Sequence, residues 1–217
     1  MSDPVGIILS VAYLPNIQYF SKLLTYPEIL IEVNDTYQKQ SYRNRTTIYG
    51  ANGRLDLVIP VKRSSDNTTK TRDILIDYDM SWQQTHWKAI VSAYKNSPFF
   101  EIFEPELKPF YKRREKFLLD WNLSLLDALM EMTATEIHYK KTPDYVKVPP
   151  ENLEDFRETI HPKKRMQQHD DTFRPIPYFQ VFSEKYGFIA NLSFIDILFN
   201  EGSQAVYLCK NMRKKGN

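Results

Sequence analysis

The hydrophobic pattern of this 217-residue chain changes period near Ser81. Before that point apolar residues alternate with polar ones, as in Leu55, Leu57, Ile59 and Val61. Alternate residues share one face of a strand, so the spacing predicts a strand over 54–61 with that face in the core. Asn52-Gly53 stands just ahead of it. Both residue types tolerate positive φ, which makes the pair a strong hairpin signal joining 46–50 to 54–61. After Ser81 the pattern is helical. Trp82, His86, Ile90 and Tyr94 recur every four residues and form one slowly turning face. Ser81 can cap a helix over 82–95. Further helices are predicted over 105–117 and 124–137, the second with Leu125, Leu126, Leu129 and Met132 inward. The fold class is therefore α+β (or α/β): an N-terminal mixed β-sheet with a hairpin, then a mainly helical second half.

The N-terminal stretch fits that frame. Residues 5–12 form a short apolar run, ended by Leu14-Pro15-Asn16. Proline cannot join a ladder but suits the first turn of a helix, here 17–24 with Ile17, Phe20 and Leu24 at helical spacing. Strand, tight loop and helix is the unit that aims a loop at a ligand in many α/β sites. Strands are also expected over 28–33 and 73–78, with a polar loop over 64–71. Residues 140–177 carry six prolines and few aliphatics, which reads as an extended linker or arm with a short helix around 153–159. Beyond it, Tyr178, Phe182 and Tyr186 make a helix face closed by Gly187. Ser193 and Asp196 have the spacing of a reciprocal helix cap, with Leu192 stapling Ile197, and Gly202 ends that helix. The expected organisation is an α/β body over 1–139 bearing the site loops, the arm over 140–177, and a helical segment over 178–213 docking on the body.

Composition excludes several classes. The formal net charge is +2, far from the basic excess of a dedicated nucleic-acid binder, so no nucleic-acid partner is expected. The basic clusters Lys112-Arg113-Arg114, Lys163-Lys164-Arg165 and Arg213-Lys214-Lys215 are nearly balanced by acidic residues. The single cysteine, Cys209, allows no intramolecular disulfide and reads as a buried thiol. The first ten residues lack a basic region ahead of their apolar run, and no run reaches the ~18 apolar residues of a membrane span. A cytoplasmic protein without membrane insertion is expected. Neither phosphate-binding glycine motif is present among only 6 glycines. His161, His169, Asp170 and Asp171 match no zinc spacing and read as a solvated loop. No metal and no cofactor is expected.

Two features can carry chemistry. Tyr42-Arg43-Asn44-Arg45 puts two arginines and an amide where a loop enters the hairpin. Arginine offers five fixed donors at any physiological pH, so the pair suits phosphate or carboxylate. The same arginines can equally be surface or ion-pair residues. His86 can act as a general base, because imidazole titrates near neutrality. It can equally be a core histidine satisfied by a backbone carbonyl.

Four patches together resemble the WbqC-like protein family of bacteria. They are Tyr13-Leu14-Pro15-Asn16-Ile17-Gln18-Tyr19-Phe20; Tyr42-Arg43-Asn44-Arg45 with the hairpin up to Pro60-Val61; Trp82 with His86, Tyr94, Pro98, Phe99 and Phe100; and Gly187-Phe188 through Asn191-Leu192-Ser193 to Phe199-Asn200-Glu201-Gly202. The family motif usually has a glycine where this chain has Gln18, so close phosphate approach at that loop is not expected. The resemblance implies a place in O-antigen-type surface-polysaccharide metabolism. It also puts Arg43, Asn44, Arg45 and His86 on motif positions. The functional expectation is a transferase of that pathway, passing an acyl or aminoacyl group to a nucleotide-activated sugar. His86 is its expected catalytic base, and Arg43, Asn44, Arg45, Tyr13, Asn16, Trp82 and Tyr94 are its expected ligand contacts. The partner is then a nucleotide-sugar or other anionic small molecule. The alternative is a non-catalytic scaffold that binds a protein partner in the same pathway, using the proline-rich arm. The first loop also resembles that of nucleotidylyltransferases, but HxGH is missing and nucleotidyl transfer is ranked low.

Overall fold

The computed structural model describes residues 5–62, 68–163 and 169–213. Residues 64–67, half of the predicted polar loop over 64–71, lie outside them, as do Lys164, Arg165, Lys214 and Lys215 of the basic clusters.

The fold is α+β. It is built on a parallel sheet in the order β5-β2-β1-β6 and a separate antiparallel hairpin, β3-β4. Strand β1 (Gly6–Ser10) is followed by helix α1 (Ile17–Leu23) and strand β2 (Glu28–Glu32). The two strands pair in parallel, Gly6 beside Glu28 through Ser10 beside Glu32. This is the strand–helix–strand unit that the apolar runs and Pro15 announce. Asn16 caps α1 by accepting the Tyr19 N–H on its Oδ1 at 2.9 Å. On its other edge β1 pairs with β6 (Leu153–Asp155), again in parallel. Strand β5 (Lys140–Lys141) adds to the far edge of β2.

Residues 140–177 therefore contribute strands β5 and β6 to the sheet, and β6 occupies the position where a short helix is expected. Two and three residues are too few for alternation to show in sequence. Gly6 lets β6 come close: a Cβ there would meet the Leu153 side chain at 2.6 Å and the Glu28 carbonyl oxygen at 2.8 Å. Buried ion pairs hold the segment down. Arg157 reaches Asp155 at 2.7 Å and Glu32 at 3.3 Å. Lys22 reaches Asp170 at 2.8 Å. Asp170 also accepts from Gln18 and Thr172, so Asp170 and the buried His161 depart from the solvated loop that the polar sequence predicts, while His169 and Asp171 are exposed as expected.

The hairpin of β3 (Arg45–Gly50) and β4 (Gly53–Val58) turns at Asn52-Gly53 as expected. Residues 73–78 make single bridges at Leu75 and Ile76 in place of a full strand. Helix α2 (Trp82–Tyr94) matches its prediction, although Ser81 makes no side-chain cap bond. Helices α3 (Phe100–Leu107) and α4 (Leu118–Met132) both begin about five residues earlier than their apolar spacing indicates. A short helix α5 (Ser183–Tyr186) ends at Gly187, and α6 (Phe194–Glu201) and α7 (Gln204–Asn211) complete the chain.

Gly202 ends α6 at φ +56, with the Phe99 ring 2.6 Å from where a Cβ would stand. The reciprocal cap of Ser193 and Asp196 does not form. Ser193 Oγ donates to the Leu14 carbonyl at 3.0 Å, while the Asp196 carboxylate turns into the core. Among the described residues, no helix is long and apolar enough to cross a membrane.

Candidate functional site

Strand β1 lies between β2, reached through α1, and β6, reached from the far end of the chain. In open parallel sheets such a reversal of strand order leaves a crevice beyond the carboxyl ends of the strands, where ligands bind. Here the crevice is a small nook lined by Ser10 and Val11 from the end of β1, Asn16 and Tyr19 from α1, and Arg43 and Arg157. Its volume is about 10 Å³, close to the room one water needs. A wider groove of about 940 Å³ opens beside it. Tyr42 lines both, and Ile160 of the nook is followed directly by His161 of the groove.

The hairpin supplies the groove wall. Arg45 faces Val58, Thr47 faces Asp56 and Tyr49 faces Arg54 across the ladder. Alternation puts these side chains on one face, while Thr46, Ile48 and Leu57 are buried on the other. Arg45, Thr47, Asp56 and Arg54 all line the groove, opposite Lys163 and Asp170. Arg45 reaches Asp56 only at 3.9 Å, and its Nε has no partner among the described residues. Arg54 donates to the Ala190 carbonyl at 3.1 Å. Three cations thus face two carboxylates, and one of these, Asp170, is already held by Lys22. Burial works to raise the Asp170 pKa, but the hydrogen bonds from Lys22, Thr172 and Gln18 outweigh it and leave the group below its ordinary value. The groove is therefore suited to an anion.

Gln18 closes one end of the groove. Its side chain donates to Asp170 at 2.8 Å and accepts from Asn191 at 3.0 Å, while its backbone N–H donates to Asn191 Oδ1 at 2.9 Å. It joins α1 to the C-terminal segment at the position where the resembling motif has glycine. His161 is buried at the other side of the groove. Burial pulls its pKa down, and its Nδ1 accepts the Lys163 N–H at 3.0 Å. The neutral ring then carries its proton on Nε2 and presents a donor.

The residues singled out in the sequence separate into three places. Asn16 and Arg43 line the nook, and Arg45 lines the groove. Arg43 is the ion-pair arginine of the two alternatives: it is 2 % exposed, bonds Ser10 Oγ at 2.8 Å and pairs with the Asp35 carboxylate. Asn44 lies between, and its amide donates to the Ile59 carbonyl at 2.9 Å, fixing the entrance to the hairpin.

His86, Tyr13 and Trp82 form a second cluster inside the core. His86 Nδ1 meets the Tyr13 hydroxyl at 3.0 Å, and that hydroxyl meets Tyr111 at 2.8 Å. The ring also faces the Val58 carbonyl, and Trp82 packs edge-on against it at 5.1 Å. Burial lowers the His86 pKa to about 4. His86 is thus a neutral imidazole held by Tyr13 and a backbone carbonyl, the second of its two alternatives. Tyr94 belongs to a third place. Its hydroxyl donates to Asp196 at 2.8 Å, beside donors from Tyr178 at 2.5 Å and Gln180 at 2.9 Å. Burial raises Asp196 to about 6 against the lowering effect of those bonds.

Sequence reasoning missed Thr47, Arg54, Asp56, Lys163 and Asn191 as groove residues. The first three carry a usable signal, since they lie on the polar face of the alternating hairpin. The last two are brought in only by long-range packing.

A family model described as the WbqC-like protein family matches residues 11–168. The chain belongs to the WbqC-like protein family. The matched span carries every nook residue named above except Ser10, and the whole groove face of the hairpin. This WbqC-like chain is also 25% identical over 218 residues to the uncharacterized protein Rv1507c of Mycobacterium tuberculosis, across 89% of this chain and 92% of that relative. No solved structure matches.

Proposed function

We propose that the groove of this WbqC-like protein binds the phosphate groups of a nucleotide-activated sugar, in the surface-glycan precursor metabolism that the family resemblance implies. The observation that carries this reading is the convergence of Arg45, Arg54 and Lys163 on one groove beside the carboxyl end of β1. Arginine pairs suit diphosphate oxygens in both charge and fork geometry. Crevices at a reversal of strand order are recurrent nucleotide sites. Acyl or aminoacyl transfer to the sugar is the favoured reaction class. With His86 enclosed in the core, its proton acceptor has to come from the groove or from the substrate.

The test is a thermal-shift screen with nucleotide sugars, free nucleotides and inorganic phosphate. A ligand at one hundred times its dissociation constant stabilises by about 2.7 kcal/mol, roughly 5–10 °C for a domain of this size. The expected result is a shift with a nucleotide sugar that is lost in Arg45→Ala and Arg54→Ala proteins with unchanged melting temperatures of their own. A shift that survives both substitutions would sink the reading.

A further inference from the structure

The nook differs from the groove in what it offers. Tyr19 and Arg43 are 3 % and 2 % exposed, and the Tyr19 hydroxyl and Arg43 Nε have no hydrogen-bond partner among the described residues. Asn16 is 3 % exposed; its Nδ2 faces the Tyr42 hydroxyl but meets no acceptor at hydrogen-bonding geometry. Unpaired buried polar atoms are costly, about 1–3 kcal/mol each, and three of them belong to residues that line this one small space.

All three atoms can donate. Two side-chain oxygens of the lining are already engaged. Asn16 Oδ1 takes the Tyr19 N–H, and Ser10 Oγ takes an Arg43 N–H while donating to the Arg157 carbonyl. The charges are engaged too: Arg43 is paired with Asp35, and Arg157 with Asp155 and Glu32. A second phosphate finds no free cation among the described residues here. A hydroxyl would have to find a home for its own proton. A carbonyl oxygen accepts only, has two lone pairs and carries no net charge.

We propose that the nook takes a neutral carbonyl oxygen, that of an amide or ester on the sugar of the ligand whose phosphates lie in the groove. The inference rests on the groove reading and deepens it, because the ligand becomes an acylamino or acyl sugar nucleotide. Tyr42, shared by both spaces, stands between the two parts of such a ligand. A site built around a hydrogen-bonded oxygen discriminates strongly against analogues that cannot satisfy its donors.

The experiment compares UDP-N-acetylglucosamine with UDP-glucose by calorimetry. The two share a diphosphate and differ by an acetamido carbonyl in place of a hydroxyl. Wild type is expected to bind the first at least tenfold more tightly. That gap is expected to collapse in Tyr19→Phe, whose unliganded stability stays at or above wild type because no protein bond is lost. Asn16→Ser is the second variant: serine keeps the cap acceptor of α1 and removes the amide donor, and the gap is expected to narrow again. Equal affinity for the two sugars in wild type would overturn the inference, as would a gap that survives in both variants. If both sugars bind equally and both weaken in Arg45→Ala, the groove reading stands and the nook assignment falls. If neither binds, both fall.

Discussion

The switch-point crevice and two hydrogen-bonded networks in the helical core, around Asp196 and around His86, treat buried polar side chains in opposite ways. In the core, Asp196 has Tyr94, Tyr178 and Gln180, and His86 has Tyr13 and the Val58 carbonyl. In the crevice, the Tyr19 hydroxyl and Arg43 Nε have no acceptor among the described residues, and neither has Arg45 Nε at the edge of the groove. Satisfied buried polar groups specify a packing arrangement; unsatisfied ones leave free energy for something else to recover. The difference sets two satisfied core networks apart from the side chains to which we assign a ligand. His86 and Arg45, both on motif positions of the family, accordingly belong to different parts of the molecule.

The largest effect that could break this comparison comes from the core. Asp196→Ala takes the acceptor from two tyrosine hydroxyls, while Gln180 keeps the Ile189 carbonyl at 3.0 Å. The expected loss is roughly 3 kcal/mol or more, at 1–3 kcal/mol per stranded group, read as a fall in the urea midpoint at neutral pH. A loss under 1 kcal/mol would mean that the network is not closed.

Titration sharpens the contrast within the core itself. Between pH 4 and 6.5 the unfolded state protonates His86 while the folded state keeps it neutral, so this group removes stability as the pH falls through that window. Asp196 acts the other way: the folded state holds its proton up to about pH 6, so this group removes stability as the pH rises from 4 to 6. Each is on the order of 3 kcal/mol at 1.36 kcal/mol per pH unit, and they largely offset. His161, also lowered by burial, adds a smaller contribution of the His86 sign. Asp196→Asn is therefore expected to steepen the acid-side loss between pH 6.5 and 4 relative to wild type, measured by denaturation at several pH values. Parallel curves for the two proteins would contradict the opposed linkage.

The smallest effect separates the two regions with one atom each. Tyr13→Phe removes a hydroxyl that bridges His86 and Tyr111 and is expected to cost about 1–3 kcal/mol. Tyr19→Phe removes a hydroxyl that bonds nothing among the described residues and is expected to leave stability within about 0.5 kcal/mol or to raise it. Comparable losses in the two variants would erase the distinction.

What could be read in advance was local. Asn52-Gly53 turned the hairpin, Asn16 capped α1, and the four-residue recurrence from Trp82 set α2, because each depends on residues within a turn of one another. The Ser193–Asp196 cap was misread for the same reason: its spacing is right, but three donors in the core compete for the carboxylate and win. The alternation of the hairpin already separated Arg45, Arg54 and Asp56 from the core face. The helical recurrence put His86 on a buried-type face, yet whether that face was site or core depended on Tyr13, 73 residues away.

The sequence by itself determined the first two strands, the hairpin, helix α2, the family and the motif arginines, all carried by short-range pattern. Tertiary structure alone decided that a proline-rich segment near residue 153 would pair with β1 beside Gly6. That pairing makes β1 a switch point and closes the nook around Arg43 and Tyr19. A three-residue parallel strand is stabilised by its partner and not by its own composition, so its place is settled only when the sheet assembles.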